Sequence, residues 1–151
     1  MDVPAVWKRK LTIDGKKVTV EIIRTSGAQS ENFHMLSTMF FRRAHGIMVV
    51  YDITDRASFI KAQEHAANAV QAREVKTASE VPFVVVANKC DLSASDREVT
   101  LVDGHDFALS IGAELFEVSA RTGQNVEPAF LALVNSVIAH SGKGKDKCLV
   151  M

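Results

Sequence analysis

Cysteine is scarce in this chain: there are two in 151 residues, Cys90 and Cys148. Two thiols so far apart make no disulfide framework, and the expected compartment is the reducing cytosol. Net charge is missing as well. Eighteen basic residues cancel eighteen acidic ones, which excludes a nucleic-acid partner held by bulk charge. No apolar stretch approaches the roughly twenty residues needed to span a bilayer. The opening Met1-Asp2-Val3-Pro4 lacks the basic and apolar regions of a signal peptide, and no internal repeat is visible. The length is that of one domain with a real core. A hydrophobic share of 47% is ordinary for a globular protein.

The chain is organised around Val84-Val85-Val86-Ala87-Asn88-Lys89-Cys90-Asp91. The apolar run from Phe83 to Ala87 does not alternate, and it stops at a polar cluster. Such a run reads as a strand buried on both faces, the usual state in a parallel sheet. Ligands of open α/β sheets sit just outside the carboxyl ends of these strands, so an amide, an ammonium and a carboxylate stand at the mouth of a site. Their chemistry suits guanine. Asp91 can accept from the ring N–H and the exocyclic amine, the Asn88 amide can meet the ring's acceptor edge, and the Lys89 stem can cover the base face.

The remaining elements follow in order. Trp7–Ile13 and Lys17–Ile23 read as strands joined at Asp14-Gly15, a strong hairpin signal. Val18, Val20 and Ile22 alternate with Thr19 and Glu21, so one face is buried. A polar loop begins at Arg24. A helix is expected over Glu31–Arg43 and a second buried strand over Gly46–Asp52. Ser58 is expected to cap a helix running from Phe59 toward Ala78, with Ala62, Ala66 and Ala69 packed inward. After a polar loop over Leu92–Glu98 come a helix at Thr100–Ser110, a short strand at Leu115–Val118 and a helix at Val126–His140. Strand and helix alternate beyond the hairpin, which predicts an α/β fold: a mostly parallel sheet with flanking helices.

Asn88-Lys89-Cys90-Asp91 resembles the guanine-specificity motif of the Ras superfamily of small GTPases. About thirty residues downstream, Glu117-Val118-Ser119-Ala120-Arg121 is similar to the family's other base-contacting loop. The resemblance implies that Ser119, Ala120 and Arg121 belong to the nucleotide site, and that the Ala120 N–H meets the guanine oxygen. Phe40-Phe41-Arg42-Arg43-Ala44 followed by Val50-Tyr51-Asp52-Ile53-Thr54 looks like the Rab branch. The implied fold is that of a small GTPase, a P-loop NTPase-like domain over residues 1–140. The implied cofactor is GTP or GDP, and the implied partners are effector or regulator proteins.

The departures from the pattern are equally informative. The phosphate-binding loop, Gly-x-x-x-x-Gly-Lys-Ser/Thr, is absent from all 151 residues, as is the strand that precedes it in the family. The fold is therefore expected to be truncated at its N-terminus, and the backbone edges of two buried strands to be left unpaired unless they close on each other or take a strand from elsewhere. In the second switch Arg24 stands where the family has a Mg²⁺-linked aspartate, and Ala28 where it has the water-orienting glutamine. Gln29 falls one position late, and Gly27 alone keeps its family identity. A reversed charge about 5 Å from a divalent cation amounts to several kcal/mol even at an effective dielectric near 20. Bound Mg²⁺ and hydrolysis of GTP by the family mechanism are not expected, and Arg24, Gly27, Ala28 and Gln29 form a degenerate switch.

Residues 141–151 read as a flexible tail ending Cys148-Leu149-Val150-Met151, which matches the prenylation pattern. Farnesyl on Cys148, with Lys143, Lys145 and Lys147 as a small electrostatic second signal, implies a peripheral protein on the cytosolic face of a membrane. Two functions are open at this point. One is a truncated or degenerate Rab-like GTP-binding protein of traffic or signalling. The other is a pseudo-GTPase that acts as a membrane-tethered interaction module.

Overall fold

A computed structural model of the chain describes residues 5–24, 41–72 and 82–141. Strands β1 (Ala5–Ile13) and β2 (Lys16–Arg24) form the expected antiparallel hairpin. Its two-residue turn has φ of 51° at Asp14 and 78° at Gly15. Both central residues of a type I′ turn need positive φ, which is why Asp-Gly suits the position. Opposite residues of the ladder share a face, so Leu11 with Val18 and Arg9 with Val20 form one side of the hairpin. Val18 and Val20 are buried there, while Lys8, Lys10 and Lys17 on the other side are exposed.

The second sheet is parallel, in the order β3 (Ile47–Asp52), β4 (Phe83–Asn88), β5 (Glu114–Glu117). As predicted, β4 is central and buried on both faces from Phe83 to Ala87. Helix α1 (Arg56–Ala72) packs on β3 through Ala62, Ala66 and Ala69, all essentially inaccessible. Their small side chains bring the helix axis close to the sheet. Helix α2 (Leu101–Ser110) packs on β4 and β5, and α3 (Val126–Ser141) on β4. Tyr51, Phe59 and Phe107 stack edge to face in series and tie β3, α1 and α2 together. At the start of β3, a Cβ on Gly46 would fall 2.6 Å from Val137 Cγ2, so the approach of α3 requires glycine there.

Among the described residues no ladder joins β2 to β3. The amides of Ile47 and Ile53 donate to Pro82 and Asn88 on the β4 side. The alternation of a parallel strand therefore turns the Met48 and Val50 amides away from β4, toward the other edge of β3. That edge stops at Asp52, whose N–H donates to Ser58 Oγ at 2.9 Å.

Several boundaries differ from expectation for local reasons. Helix α1 starts at Arg56, because Asp55 rather than Ser58 is its cap: Asp55 Oδ1 accepts from the Ala57 N–H at 3.0 Å. Ser58 is instead spent on the end of β3. Thr100 lies outside α2 as its N-cap, accepting from the Asp103 N–H at 3.1 Å. The loop expected over Leu92–Glu98 holds one 3₁₀ turn, Ala94–Asp96. Strand β5 begins and ends one residue early. Residues 41–43 are helical. The rest of the helix expected over Glu31–Arg43, the extension of α1 to Ala78, the loop after Arg24 and the tail lie outside the described residues.

Candidate functional site

The most buried strand supplies the first loop of the site. At the end of β4 the chain turns through Lys89 at φ 72°, a left-handed conformation that is uncommon for a side chain larger than asparagine. The Cys90 N–H then donates to Val118 O at 3.0 Å, pinning this loop to the one that follows β5. The second loop closes on itself. Ser119 N–H donates to Gln124 O, Gly123 N–H donates to Ser119 O, and Asn125 Nδ2 donates to Glu117 O at 2.9 Å. Gly123 and Asn125 both have positive φ, which glycine and asparagine tolerate best.

Two further hydrogen bonds, both to side chains, join the loops. The Ser119 hydroxyl, fully buried, donates to Asp91 Oδ1 at 2.8 Å and accepts from the Thr122 N–H at 3.1 Å. The Ala120 N–H donates to Asn88 Oδ1 at 3.0 Å. With its oxygen so engaged, the Asn88 amide keeps its NH₂ donors for another acceptor. The exposed Asp91 carboxylate keeps Oδ2 and a remaining Oδ1 lone pair for two donors. A carboxylate pinned by a buried hydroxyl is preorganised, and little side-chain freedom remains to be lost on binding.

Lys89 is also held. Its Nζ lies 2.7 Å from Asp52 Oδ2, and Asp52 Oδ1 accepts from Thr54 N and Thr54 Oγ1 at 2.8 and 2.7 Å. Asp52 is the ladder partner of Asn88, so the two strand ends deliver the ion pair side by side. Burial pushes the Asp52 carboxyl up, but hydrogen bonds from Lys89 and Thr54 outweigh it and hold the group below its ordinary value. The same contact raises Lys89. Burial, with Glu117 and Asp91 nearby, pushes the Cys90 thiol up, so this cysteine is no activated nucleophile. Arg97 pairs with Glu117 at the end of β5, bracing the second loop.

A family model for the Ras family matches residues 4–139. The chain belongs to the Ras family, as a Rab-like small GTPase. It is 33% identical over 135 residues to Ras-related protein Rab-21 of Dictyostelium discoideum, covering 89% of this chain and 60% of that protein. It is 35% identical over 130 residues to Ras-related protein Rab-8B of Homo sapiens, covering 86% of this chain and 59% of that protein. Against the Ras and EF-hand domain-containing protein of Danio rerio it is 34% identical over 140 residues, covering 91% of this chain and 20% of that protein. The Rab-like chain thus spans about three-fifths of the length of the first two relatives.

Within this Rab-like domain the bonds between the loops bring Asn88, Asp91, Ser119 and Ala120 together, and Lys89 stands on the first loop paired with Asp52. Arg121 is exposed, and among the described residues it joins neither Asn88 nor Asp91. Arg24 is the exposed last residue of β2. Gly27, Ala28, Gln29 and Cys148 lie outside the described residues. Sequence reasoning missed Asp52 as part of the site. Its signal was an acidic residue at the carboxyl end of the neighbouring parallel strand, followed two positions later by a threonine able to fix it.

Proposed function

We propose that this Rab-like domain reads guanine through Asn88, Lys89, Asp91 and Ala120, with binding of GTP or GDP carried mainly by the base. The observation that carries this reading is the pair of hydrogen bonds, Ser119 to Asp91 and Ala120 to Asn88, which lock the two loops with the amide and the carboxylate in place. The Ala120 N–H already has an acceptor in Asn88 Oδ1, so a guanine oxygen shares that donor or displaces it. Arg121 lies on the same loop as an exposed cation.

The switch supports an impaired enzyme. Arg24 in place of an aspartate and Ala28 in place of a glutamine remove the metal contact and the water-orienting group. The same two substitutions favour the second reading, a pseudo-GTPase that engages effector or regulator proteins while Cys148 and the tail lysines hold it to the cytosolic face of a membrane.

Calorimetry of the 151-residue chain with GTP, GDP and ATP, with and without Mg²⁺, tests the reading. Expected are affinities no tighter than about the high-micromolar range, ~5–6 kcal/mol, a preference for guanine over adenine, and indifference to Mg²⁺ and phosphate number. Asp91→Asn should erase the base preference, because an amide cannot accept both guanine donors. Nanomolar, Mg²⁺-dependent binding, or binding blind to the base, refutes it.

A further inference from the structure

The chain is neutral as a whole, but its charge is unevenly placed. Residues 5–24 hold six basic residues against two acidic ones, Asp14 and Glu21. The rest of the chain holds twelve basic against sixteen acidic, from eighteen of each in all. The ladder register divides the hairpin's cations between its faces. Arg9 lies on the face of Val18 and Val20, where it pairs with Glu127 of α3 and sits 5.1 Å over the Phe130 ring. Lys8, Lys10 and Lys17 lie on the opposite face. All three are exposed, and no ion pair holds them among the described residues. Lys8 and Lys10 are two residues apart on one strand, about 7 Å. Lys17 is diagonal to Lys10 across the ladder, about 7–8 Å away. A half-buried Glu21 opposite Lys8 is the one acidic residue on this face.

We infer that this lysine face of the hairpin docks on an anionic phospholipid surface. Three like charges so close together repel one another, and a negatively charged surface relieves that repulsion. The residue type selects the partner class. Lysine presents a compact point charge on a flexible stem, without the planar fork that arginine uses for bidentate contacts. Lysine is depleted from the cores of protein–protein interfaces, which are built on aromatic and arginine anchors. Thr12 and Thr19 lie between the lysines on this face, which carries no aromatic or arginine anchor. A diffuse sheet of headgroup charge matches it better than an acidic peptide. Exposed Val6, at 47% accessibility, lies on the same face at the far end of β1, and Arg9 on the other face fastens the hairpin to α3. The inference depends neither on nucleotide binding nor on lipidation at Cys148.

The test uses the full 151-residue chain, unprenylated, with vesicles of phosphatidylcholine alone or carrying about 30% phosphatidylserine. Expected is co-sedimentation on the anionic vesicles only, weakened by added salt. Each lysine near such a surface contributes about fivefold, the equivalent of ~1 kcal/mol. The triple variant Lys8→Gln/Lys10→Gln/Lys17→Gln should therefore lose on the order of a hundredfold in partitioning while melting like the parent chain. Lys143→Gln/Lys145→Gln/Lys147→Gln serves as the control for the tail. The inference is overturned if the parent chain ignores phosphatidylserine, or if only the tail variant loses binding. Capture by polyglutamate, lost in the hairpin variant, without vesicle binding also overturns it and makes an acidic protein the partner.

Discussion

Strand β4 and the β1–β2 hairpin are both rich in apolar and β-branched residues, yet water reaches them very differently. Val84, Val85 and Ala87 on β4 are at most 2% accessible, whereas Trp7 on β1 is 50% accessible and the fully buried residues of the hairpin, Val18 and Val20, lie on one face, the lysine face adding only the partly buried Ile23. The proposed chemistry follows that division. Groups that must be held in fixed geometry, Asn88 and Asp91, hang from the end of the strand that cannot move without opening the core. Charges that act by number, the lysines, ride on the element with a solvent-facing side. A rigid scaffold suits hydrogen-bond recognition, and a peripheral ribbon suits diffuse electrostatics.

The contrast predicts unequal costs for similar deletions. Leu133 on α3 is fully buried, and Leu133→Ala should destabilise the chain by about 2–5 kcal/mol. Leu11 on β1 is only partly buried against the core, so Leu11→Ala should cost about 1 kcal/mol or less. Urea denaturation of the two variants makes the comparison. Equal losses would mean that the hairpin is as integral to the core as the parallel sheet.

A smaller effect is expected at the join between the loops. Ser119→Ala removes a buried hydroxyl that bonds both Asp91 and the Thr122 N–H, leaving a backbone donor unpaired. The expected cost is about 1–3 kcal/mol, with faster amide exchange at Thr122 and a weaker preference for guanine. A stability loss without faster exchange at Thr122 would place the damage elsewhere and break the link between Ser119 and the second loop.

Much of this scaffold could be read from local patterns. The unbroken run Phe83–Ala87 announced a doubly buried strand, Asp14-Gly15 a type I′ hairpin, and Ala62, Ala66 and Ala69 the inward face of α1. The cap of α1 was misplaced because Ser58 and Asp55 are both good capping residues three positions apart, and only the end of β3 decides between them. The family motifs flagged Asn88 and Asp91 at once, but not how they are held. That depends on the meeting of Ser119 with Asp91 and of Asp52 with Lys89, through a loop-to-loop contact and a ladder register that span long stretches of sequence. No local periodicity encodes such pairs.

The smallest expected effect concerns that last pair, and its sign can be worked out. Asp52 has a folded-state pKa below its ordinary value of 3.8. Its contribution to stability is therefore present above about pH 4 and is lost as pH falls through the folded pKa. Lys89 is shifted the other way, above 10.5, so its contribution is present below that pH and is lost only as pH rises past its folded pKa. Between the two the pair is fully charged, and a plateau is expected across neutral pH. Lys89 is exposed, so solvent screens the pair and the amplitude is small. Asp52→Asn should leave the melting temperature at pH 7 slightly lower and flatten part of the acid limb, leaving the share due to Asp103 and Glu127, whose carboxyls are also held low by Arg56 and Arg9. Carbon NMR of the Asp52 carboxyl reads the titration directly, and Lys89→Met should move its midpoint up toward the ordinary value. An unchanged midpoint in Lys89→Met would assign the shift to Thr54 alone and leave the lysine free over the mouth of the site.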